Sequence, residues 1–133
     1  MKKILFILSL AFAVMAFVSC SSDNSPEGVM KEFMSCIKKE KYDKALDLIY
    51  FKNGISEDEK KAYAELLGKY GKQLKEKGGL KGIEVTNVEM SEDGESANVS
   101  YFIKYGNGTN EEKKEKVVKA DGKWMIEGRK LSK

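Results

Sequence analysis

The chain has 133 residues, of which 41% are hydrophobic and 34% charged, and it contains two cysteines and no histidine. This length fits one small domain with a single hydrophobic core. The lack of histidine excludes Ser-His and Cys-His nucleophile pairs and histidine zinc sites, and the near balance of 24 basic and 21 acidic residues argues against a nucleic-acid-binding surface.

The N-terminus has the pattern of a secretory signal peptide. Lys2 and Lys3 are followed by residues 4–18, which are apolar except for Ser9. This run is shorter than the roughly 20 residues that a membrane-spanning helix needs, and it opens directly onto a polar segment. We therefore expect residues 1–19 to be a targeting segment, which leaves a net charge of +1 on the rest of the chain.

The apolar run ends in Phe17-Val18-Ser19-Cys20, which resembles the lipobox of bacterial lipoproteins. The resemblance implies that Cys20 becomes the acylated first residue of the mature protein and anchors it to the membrane. Ser21 follows the cysteine where an aspartate would mark retention in the inner membrane, which favours the outer membrane. The alternative is ordinary signal cleavage inside the apolar run, which would leave Cys20 as a free thiol.

Three helices are predicted after a short polar tether at residues 20–25, so that the folded domain would cover residues 26–133. In each helix, apolar residues recur at the three- and four-residue spacing of one face. Ser25 and Ser56 are N-caps for the first and third helices. The first helix is predicted to run from Pro26 to about Glu40, the second from Tyr42 to the Asn53-Gly54 turn, and the third from Ser56 to Gly78-Gly79.

Beyond the third helix the apolar period changes from helical to alternating. Strands are predicted at residues 83–90, 96–105, 113–120 and 123–127, separated by turn signals at Asp93-Gly94, Gly106-Asn107-Gly108 and Asp121-Gly122. Helices followed by a four-stranded antiparallel meander indicate an α+β fold.

This order of elements resembles the nuclear transport factor 2-like superfamily, with its cystatin-like cone, and in particular a lipoprotein branch known as domain-of-unknown-function family 4878. The resemblance lies in residues 25–33 (SPEGVMKEF), 42–46 (YDKAL) and 121–126 (DGKWMI). It implies three helices packed on a curved four-stranded sheet that forms a cone, with Trp124 pointing inward. It implies no activity, because a fold alone does not determine function.

Enzymes of this superfamily place an aspartate or histidine base beside a tyrosine, so carboxylates are the candidate catalytic groups. The residues considered are Asp43, Asp47 and Glu65 on helices and Glu84 and Glu89 on the first strand. Charged side chains are mostly solvated, and the three helical ones fall outside the apolar stripes, so we nominate no catalytic residue. No metal site and no cofactor are expected.

Tyr63, Tyr101 and Trp124 are the predicted pocket residues, because an aromatic body with a polar tip suits an apolar ligand that must be oriented. The alternative is that these side chains fill the core. Cys36 lies on the apolar stripe of the first helix and is predicted to be a buried small hydrophobe.

Two lysine clusters are predicted to lie at the surface. Lysines gather at the end of the third helix, where contact with anionic lipid is an alternative to plain solvation. Lysines and glutamates alternate between residues 112 and 116, which predicts a solvated strand edge that resists pairing with other sheets.

These observations predict a lipid-anchored protein of the bacterial cell envelope whose domain is a non-catalytic binding or interaction module. Its expected partners are the membrane, through Cys20, and either a small apolar ligand or another envelope protein. Two alternatives remain at this point: a lyase or isomerase that uses the cone cavity, and a structural envelope protein.

Overall fold

The computed structural model describes residues 24–128, which form helices and one five-stranded sheet. In chain order the elements are α1 (Pro26–Lys38), α2 (Tyr42–Leu46), β1 (Ile49–Tyr50), α3 (Glu57–Glu76), β2 (Leu80–Met90), β3 (Ser96–Tyr105), β4 (Asn110–Ala120) and β5 (Lys123–Glu127). The predicted α+β class is therefore confirmed, whereas the number of strands is five rather than four.

The two long helices begin and end where local sequence signals place them. The Ser25 hydroxyl accepts a hydrogen bond from the Gly28 N–H at 3.0 Å, and Ser56 opens α3 with a capping box. At the end of α3, the Gly79 N–H donates to the Leu74 carbonyl at 2.9 Å in a Schellman motif. These bonds satisfy backbone groups that helix ends otherwise leave unpaired.

The sheet has the strand order β1-β5-β4-β3-β2. Strands β2 to β5 form the antiparallel meander that the turn signals predict, and β1 adds to β5 in the parallel direction, with Ile49 opposite Ile126. Between β4 and β5, Asp121 and Gly122 have φ of 53° and 78°, as a two-residue hairpin turn of this hand requires.

Two sequence-based expectations about the elements are wrong. The second helix ends at Leu46, and Ile49 belongs to β1 because a strand partner far along the chain, β5, pairs with it. The lysine- and glutamate-rich strand β4 lies between β3 and β5, so it is not a sheet edge. Its alternating charges predict solvent exposure of one face but cannot reveal which strands flank it.

The hydrophobic core lies between α1 and one face of the sheet, which we call the inner face. Strand alternation puts Val99 and Ile103 of β3 on this face, and both are completely buried together with Val117 of β4. From α1, Met30 and Ile37 close the core, each only 1% exposed. Burial of side chains of this size contributes roughly 1.5–3 kcal/mol each.

Candidate functional site

A cavity of about 450 Å³ lies between α1, α3 and the inner face of the sheet. Its volume falls within the range of roughly 300–1,000 Å³ that small-molecule sites occupy. Most of its wall is apolar, and one lining side chain, Leu66 of α3, is 48% exposed. The lining residues are Met30, Phe33, Met34, Ile49, Tyr63, Leu66, Leu67, Tyr70, Tyr101, Lys113, Glu115, Ile126 and Glu127.

The periodicities of the flanking elements bring these residues together. Tyr101 and Lys113 stand directly opposite each other on β3 and β4, so their side chains share the inner face. Glu115, two residues further along β4, points to the same side. On α3, Tyr63, Leu67 and Tyr70 follow the three- and four-residue spacing of a single helix face.

Two tyrosine hydroxyls supply neutral polar groups in the cavity. Burial, together with the charges of Glu111 and Glu115, raises the pKa of Tyr70 to about 12. Burial also raises the pKa of Tyr101, with smaller contributions from Tyr70 and the same carboxylates. Both phenols therefore stay protonated at neutral pH, which suits hydrogen bonding to a ligand and does not suit proton abstraction.

The structure brings two of the three predicted pocket residues together. Tyr63 and Tyr101 both line the cavity, and Tyr63 also packs edge-on against Phe51 with ring centroids 5.0 Å apart. Trp124 does not line this cavity: it is 7% exposed, belongs to the core, and has the Lys119 ammonium 5.7 Å from its ring centroid. The Trp124 side chain therefore fills the core, which was the alternative to a pocket role for the predicted aromatic residues.

Sequence reasoning missed the charged residues at the cavity. Lys113 and Glu115 line it, although their alternating pattern predicts a solvated strand edge. Within β4 the available signal is parity, because Glu115 is two residues from the fully buried Val117 and shares its face. The five carboxylates considered as catalytic candidates are instead exposed; these are Asp43, Asp47, Glu65, Glu84 and Glu89.

A tyrosine and a carboxylate do meet beside the cavity, at Tyr105 and Glu111. The Tyr105 hydroxyl donates to Glu111 Oε1 at 2.5 Å, and Lys77 Nζ lies 3.6 Å from the same oxygen. The hydrogen bond from Tyr105 lowers the pKa of Glu111, whereas burial and this hydrogen bond raise the pKa of Tyr105. Since each group keeps its ordinary protonation state at neutral pH, the pair acts as a structural link between β3 and β4.

Cys36 is half-buried on α1 rather than fully buried as predicted, and it does not line the cavity. Burial, followed by the charge of Glu32, raises the pKa of its thiol. A raised pKa lowers the thiolate fraction, so this position does not favour a nucleophilic cysteine.

A second, shallower groove of about 480 Å³ runs beside the C-terminal half of α3. It is lined by Tyr42, Glu40, Glu65, Gly68, Lys69, Lys72 and Lys75. Lys75 is paired with Glu40, so part of the positive charge of the groove is neutralised. We call this surface the lysine groove.

The predicted signal peptide, residues 1–19, and the predicted lipidation site Cys20 lie outside the described residues. Among residues 24–128, no helix has the length and apolar character needed to span a bilayer. The same part of the chain contains no group of three or more metal-ligating side chains.

Comparisons with known proteins give a likeness of structure only. No protein-family model matches the sequence, and no curated protein matches it either. A crystal structure from Campylobacter jejuni, described as a candidate NTF2-like transpeptidase, superposes with a TM-score of 0.67 at 19% identity, covering 79% of this chain and 99% of that one. This likeness supports an NTF2-like fold.

A second solved structure, a SEC-C motif containing protein from Rhodopseudomonas palustris, is similar at a TM-score of 0.52 and 16% identity. It covers 88% of this chain and 86% of the other. At such identities, shared structure carries no information about shared activity.

Proposed function

We propose that the chain is a lipoprotein, acylated at Cys20, whose NTF2-like domain binds a small apolar molecule without transforming it. The cavity between α1, α3 and the sheet is the observation that carries this proposal. An apolar wall with a few convergent polar groups is the usual composition of a small-molecule site. Tyr70 and Tyr101 would orient the ligand by hydrogen bonds, and the apolar residues would bind its body.

Among residues 24–128, the cavity lining contains neither histidine nor cysteine, and this supports a binding role over nucleophilic catalysis; its acidic groups are Glu115 and Glu127. The sequence has no histidine, and Cys36 lies away from the cavity with a raised thiol pKa. Acyl transfer through a cysteine requires a thiolate activated by a neighbouring base. The raised pKa of Cys36 instead favours its neutral thiol. The transpeptidase description of the Campylobacter jejuni protein is therefore not transferred to this chain.

The proposed localisation in the cell envelope rests on the sequence of the N-terminus. The apolar run and the lipobox-like residues 17–20 support acylation of Cys20, and Ser21 supports the outer membrane of the bacterial envelope. Two or three acyl chains hold a protein stably, because each buried methylene contributes about 0.8 kcal/mol. The resemblance in residues 25–33, 42–46 and 121–126 supports the proposal that the chain is a relative of the lipoprotein family 4878, although no protein-family model matches the sequence.

Ligand binding can be tested with the mature chain carrying Cys20→Ser, so that neither acyl chains nor detergent interfere. Nile red, a neutral apolar dye, should bind saturably. Leu66→Glu puts a charge at the cavity mouth and should weaken binding at least tenfold, which corresponds to about 1.4 kcal/mol.

Met90→Glu is the matched control for that measurement. Met90 is 50% exposed, close to the 48% of Leu66, but it does not line the cavity. Its replacement should leave dye binding unchanged. Equal effects of the two variants, or the absence of saturable binding, would contradict the proposal, and native mass spectrometry of protein from cells would show whether a natural ligand is retained.

Anchoring is tested separately by the intact mass of the protein recovered from its own cells. The native chain should lack residues 1–19 and carry acyl mass on Cys20. Cys20→Ala should remove the acyl mass and prevent processing. A native protein whose Cys20 thiol is unmodified would refute the anchor and leave the cavity proposal standing.

A further inference from the structure

The chain enters the folded domain at Asn24, which is hydrogen-bonded to a residue pair distant in sequence. Its Nδ2 donates to the Gly122 carbonyl at 2.9 Å, and its Oδ1 accepts from the Trp124 N–H at 2.9 Å. The next residue, Ser25, caps α1. Asn24 therefore attaches the N-terminal segment to the turn between β4 and β5.

Asn24 occupies the place of a strand partner along the β1 side of β5. Further along the same edge, the Ile126 N–H donates to the Leu48 carbonyl and the Gly128 N–H to the Tyr50 carbonyl, both at 2.8 Å. The hydrogen bond from the Trp124 N–H to the Asn24 side chain is the first of this series, at the start of β5. The entry point of the chain is thus fixed by side-chain and backbone hydrogen bonds, and the hydrogen-bonded domain begins before Pro26.

Only three residues separate Cys20 from Asn24. Even fully extended, this connection spans at most about 14 Å. Strand β4 has 11 residues, so its two ends lie roughly 33 Å apart. The connection from Cys20 to Asn24 is therefore less than half as long as β4. A lipid on Cys20 would hold the β4–β5 turn close to the bilayer through this short tether.

The C-terminal end of α3, which carries Lys72 and Lys75 of the lysine groove, lies at the opposite end of the sheet. There, the Asn107 N–H donates to the Lys77 carbonyl at 3.0 Å and the Gly106 N–H to the Gly79 carbonyl at 2.8 Å. These bonds join the C-terminus of α3 to the turn between β3 and β4. Since β4 connects that turn to the β4–β5 turn, the two ends of the molecule are distinct.

We propose that the β4–β5 turn and the neighbouring β2–β3 turn form the bilayer-facing end of the domain, with the lysine groove presented away from the membrane. The inference rests on the acylation of Cys20 proposed above. The partner of this end is the plane of lipid head groups. In this orientation, the lysines at the end of α3 do not contact the membrane that anchors the chain, which was the alternative raised by the sequence.

The charges at this end favour the tether, rather than electrostatic attraction, as the cause of the proposed orientation. The two turns are adjacent, because the Lys119 N–H donates to the Glu95 carbonyl at 2.8 Å. The exposed charged side chains there are Glu92, Asp93, Glu95, Lys119, Asp121 and Lys123. With four acidic and two basic groups, this surface has no electrostatic affinity for anionic lipid, so its orientation should persist in vesicles of neutral lipid.

Distances to the lipid plane test the orientation in the acylated full chain. With Cys36→Ser in the background, a donor dye is placed at Lys123→Cys or at Asn110→Cys. Both positions are exposed; Asn110 begins β4, and Lys123 pairs with Ala120 at the other end of that strand. The acceptor is a head-group dye in phosphatidylcholine vesicles. We expect the label at position 123 to lie closer to the acceptor plane by up to about 33 Å.

A longer tether is the matched control. Insertion of about ten glycine and serine residues after Ser22 adds roughly 33–36 Å of reach, so the difference between the two labels should be lost. Equal distances in the native-length protein would overturn this inference while leaving the anchor intact. If intact mass shows no acyl group on Cys20, both the anchor and the orientation fail, and the two failures are thereby distinguished.

Discussion

Among single residues, the Glu111 carboxylate beside the cavity is kept ionised by its hydrogen-bonding and charged neighbours. Glu111 Oε1 accepts a hydrogen bond from the Tyr105 hydroxyl at 2.5 Å, and Lys113 Nζ lies 3.4 Å from Glu111 Oε2. These contacts stabilise the carboxylate and lower its pKa. Glu111 and its partner Tyr105 therefore both keep their ordinary protonation states at neutral pH.

The first prediction concerns the pH dependence of the Glu111 contribution to stability. The pKa of Glu111 is lower in the folded protein than in the unfolded chain, where it is near 4.5. The ionised carboxylate therefore stabilises the fold fully above the unfolded pKa, and this stabilisation is lost as the pH falls through the folded-state pKa. Tyr105→Phe should raise the pKa of Glu111, measured by carboxyl NMR. The stability lost through this variant should be smaller in acid than at neutral pH.

Lys113→Met is the comparison for that measurement. Lys113 also lowers the pKa of Glu111, through its charge and through a hydrogen bond, but the hydrogen bond from Tyr105 is the largest single cause. Lys113→Met should therefore raise this pKa less than Tyr105→Phe does. The reverse order would show that charge, and not the phenol, keeps the carboxylate ionised.

At the scale of elements, the end of α3 and the turn between β3 and β4 are in backbone contact. A Cβ added at Gly106 would lie within 3 Å of two Gly78 backbone atoms, the carbonyl oxygen and carbon. Gly78 itself has φ of 93°, as the residue after a helix C-cap often does. The junction tolerates only glycine because backbone atoms cannot move aside as a flexible side chain can.

The second prediction follows from this junction. Gly106→Ala should force the turn away from Gly78 and break the hydrogen bond from the Gly106 N–H to the Gly79 carbonyl. We expect a loss of about 2–4 kcal/mol in the free energy of unfolding, measured by urea denaturation, because the variant combines a backbone clash with a broken hydrogen bond.

Gly68→Ala is the control within the same fold. Gly68 lies inside α3, and its nearest neighbour to an added Cβ is Tyr42 at an ordinary 3.9 Å. This substitution should be neutral or stabilising by up to about 1 kcal/mol, because alanine is the better helix former. A similar loss in both variants would contradict the role of the close backbone approach.

At the scale of the whole molecule, one side of the sheet carries both the core and the cavity. Val99, Val117 and Trp124 on the inner face pack into the core, while Tyr101 and Lys113 on the same face line the cavity. Several lining residues, Met30 and Tyr101 among them, also belong to the core, whereas Leu66 at the rim does not. A substitution at Leu66 therefore alters the cavity without removing a core side chain, which makes this position suitable for ligand tests.

The third prediction concerns Trp124, which stabilises the fold without lining the cavity. Trp124→Ala should cost about 3–5 kcal/mol of unfolding free energy, because it removes a large buried side chain and leaves a void. Far-UV circular dichroism during thermal unfolding would measure this. Phe102→Ala, on the other face of the sheet and half-buried, should cost less.

A loss below about 1 kcal/mol for Trp124→Ala would place the indole at the surface and contradict the core assignment. Dye binding by a folded Trp124→Phe variant should equal that of the unsubstituted chain, because the side chain lies outside the cavity lining. Weakened binding in that variant would instead favour the sequence-based assignment of Trp124 to the pocket.

Features that depend on interactions between neighbouring residues can be predicted from the sequence alone. The caps Ser25 and Ser56, the glycines that end α3, and the Asp121-Gly122 turn are recognisable because each acts within a few residues of itself. Alternation along β3 likewise predicts Tyr101 on the buried side. The α+β class follows from the order of these local elements.

Contacts between segments that are distant in the sequence are visible only in the folded chain. Ile49 becomes part of a strand because β5 pairs with it, and Glu115 reaches a cavity because β4 is interior and α3 crosses the same face. Trp124 and Asn24 illustrate the same limit, since their partners lie far away in the sequence. Pairings of this kind depend on the packing of the whole chain, and no local period encodes them.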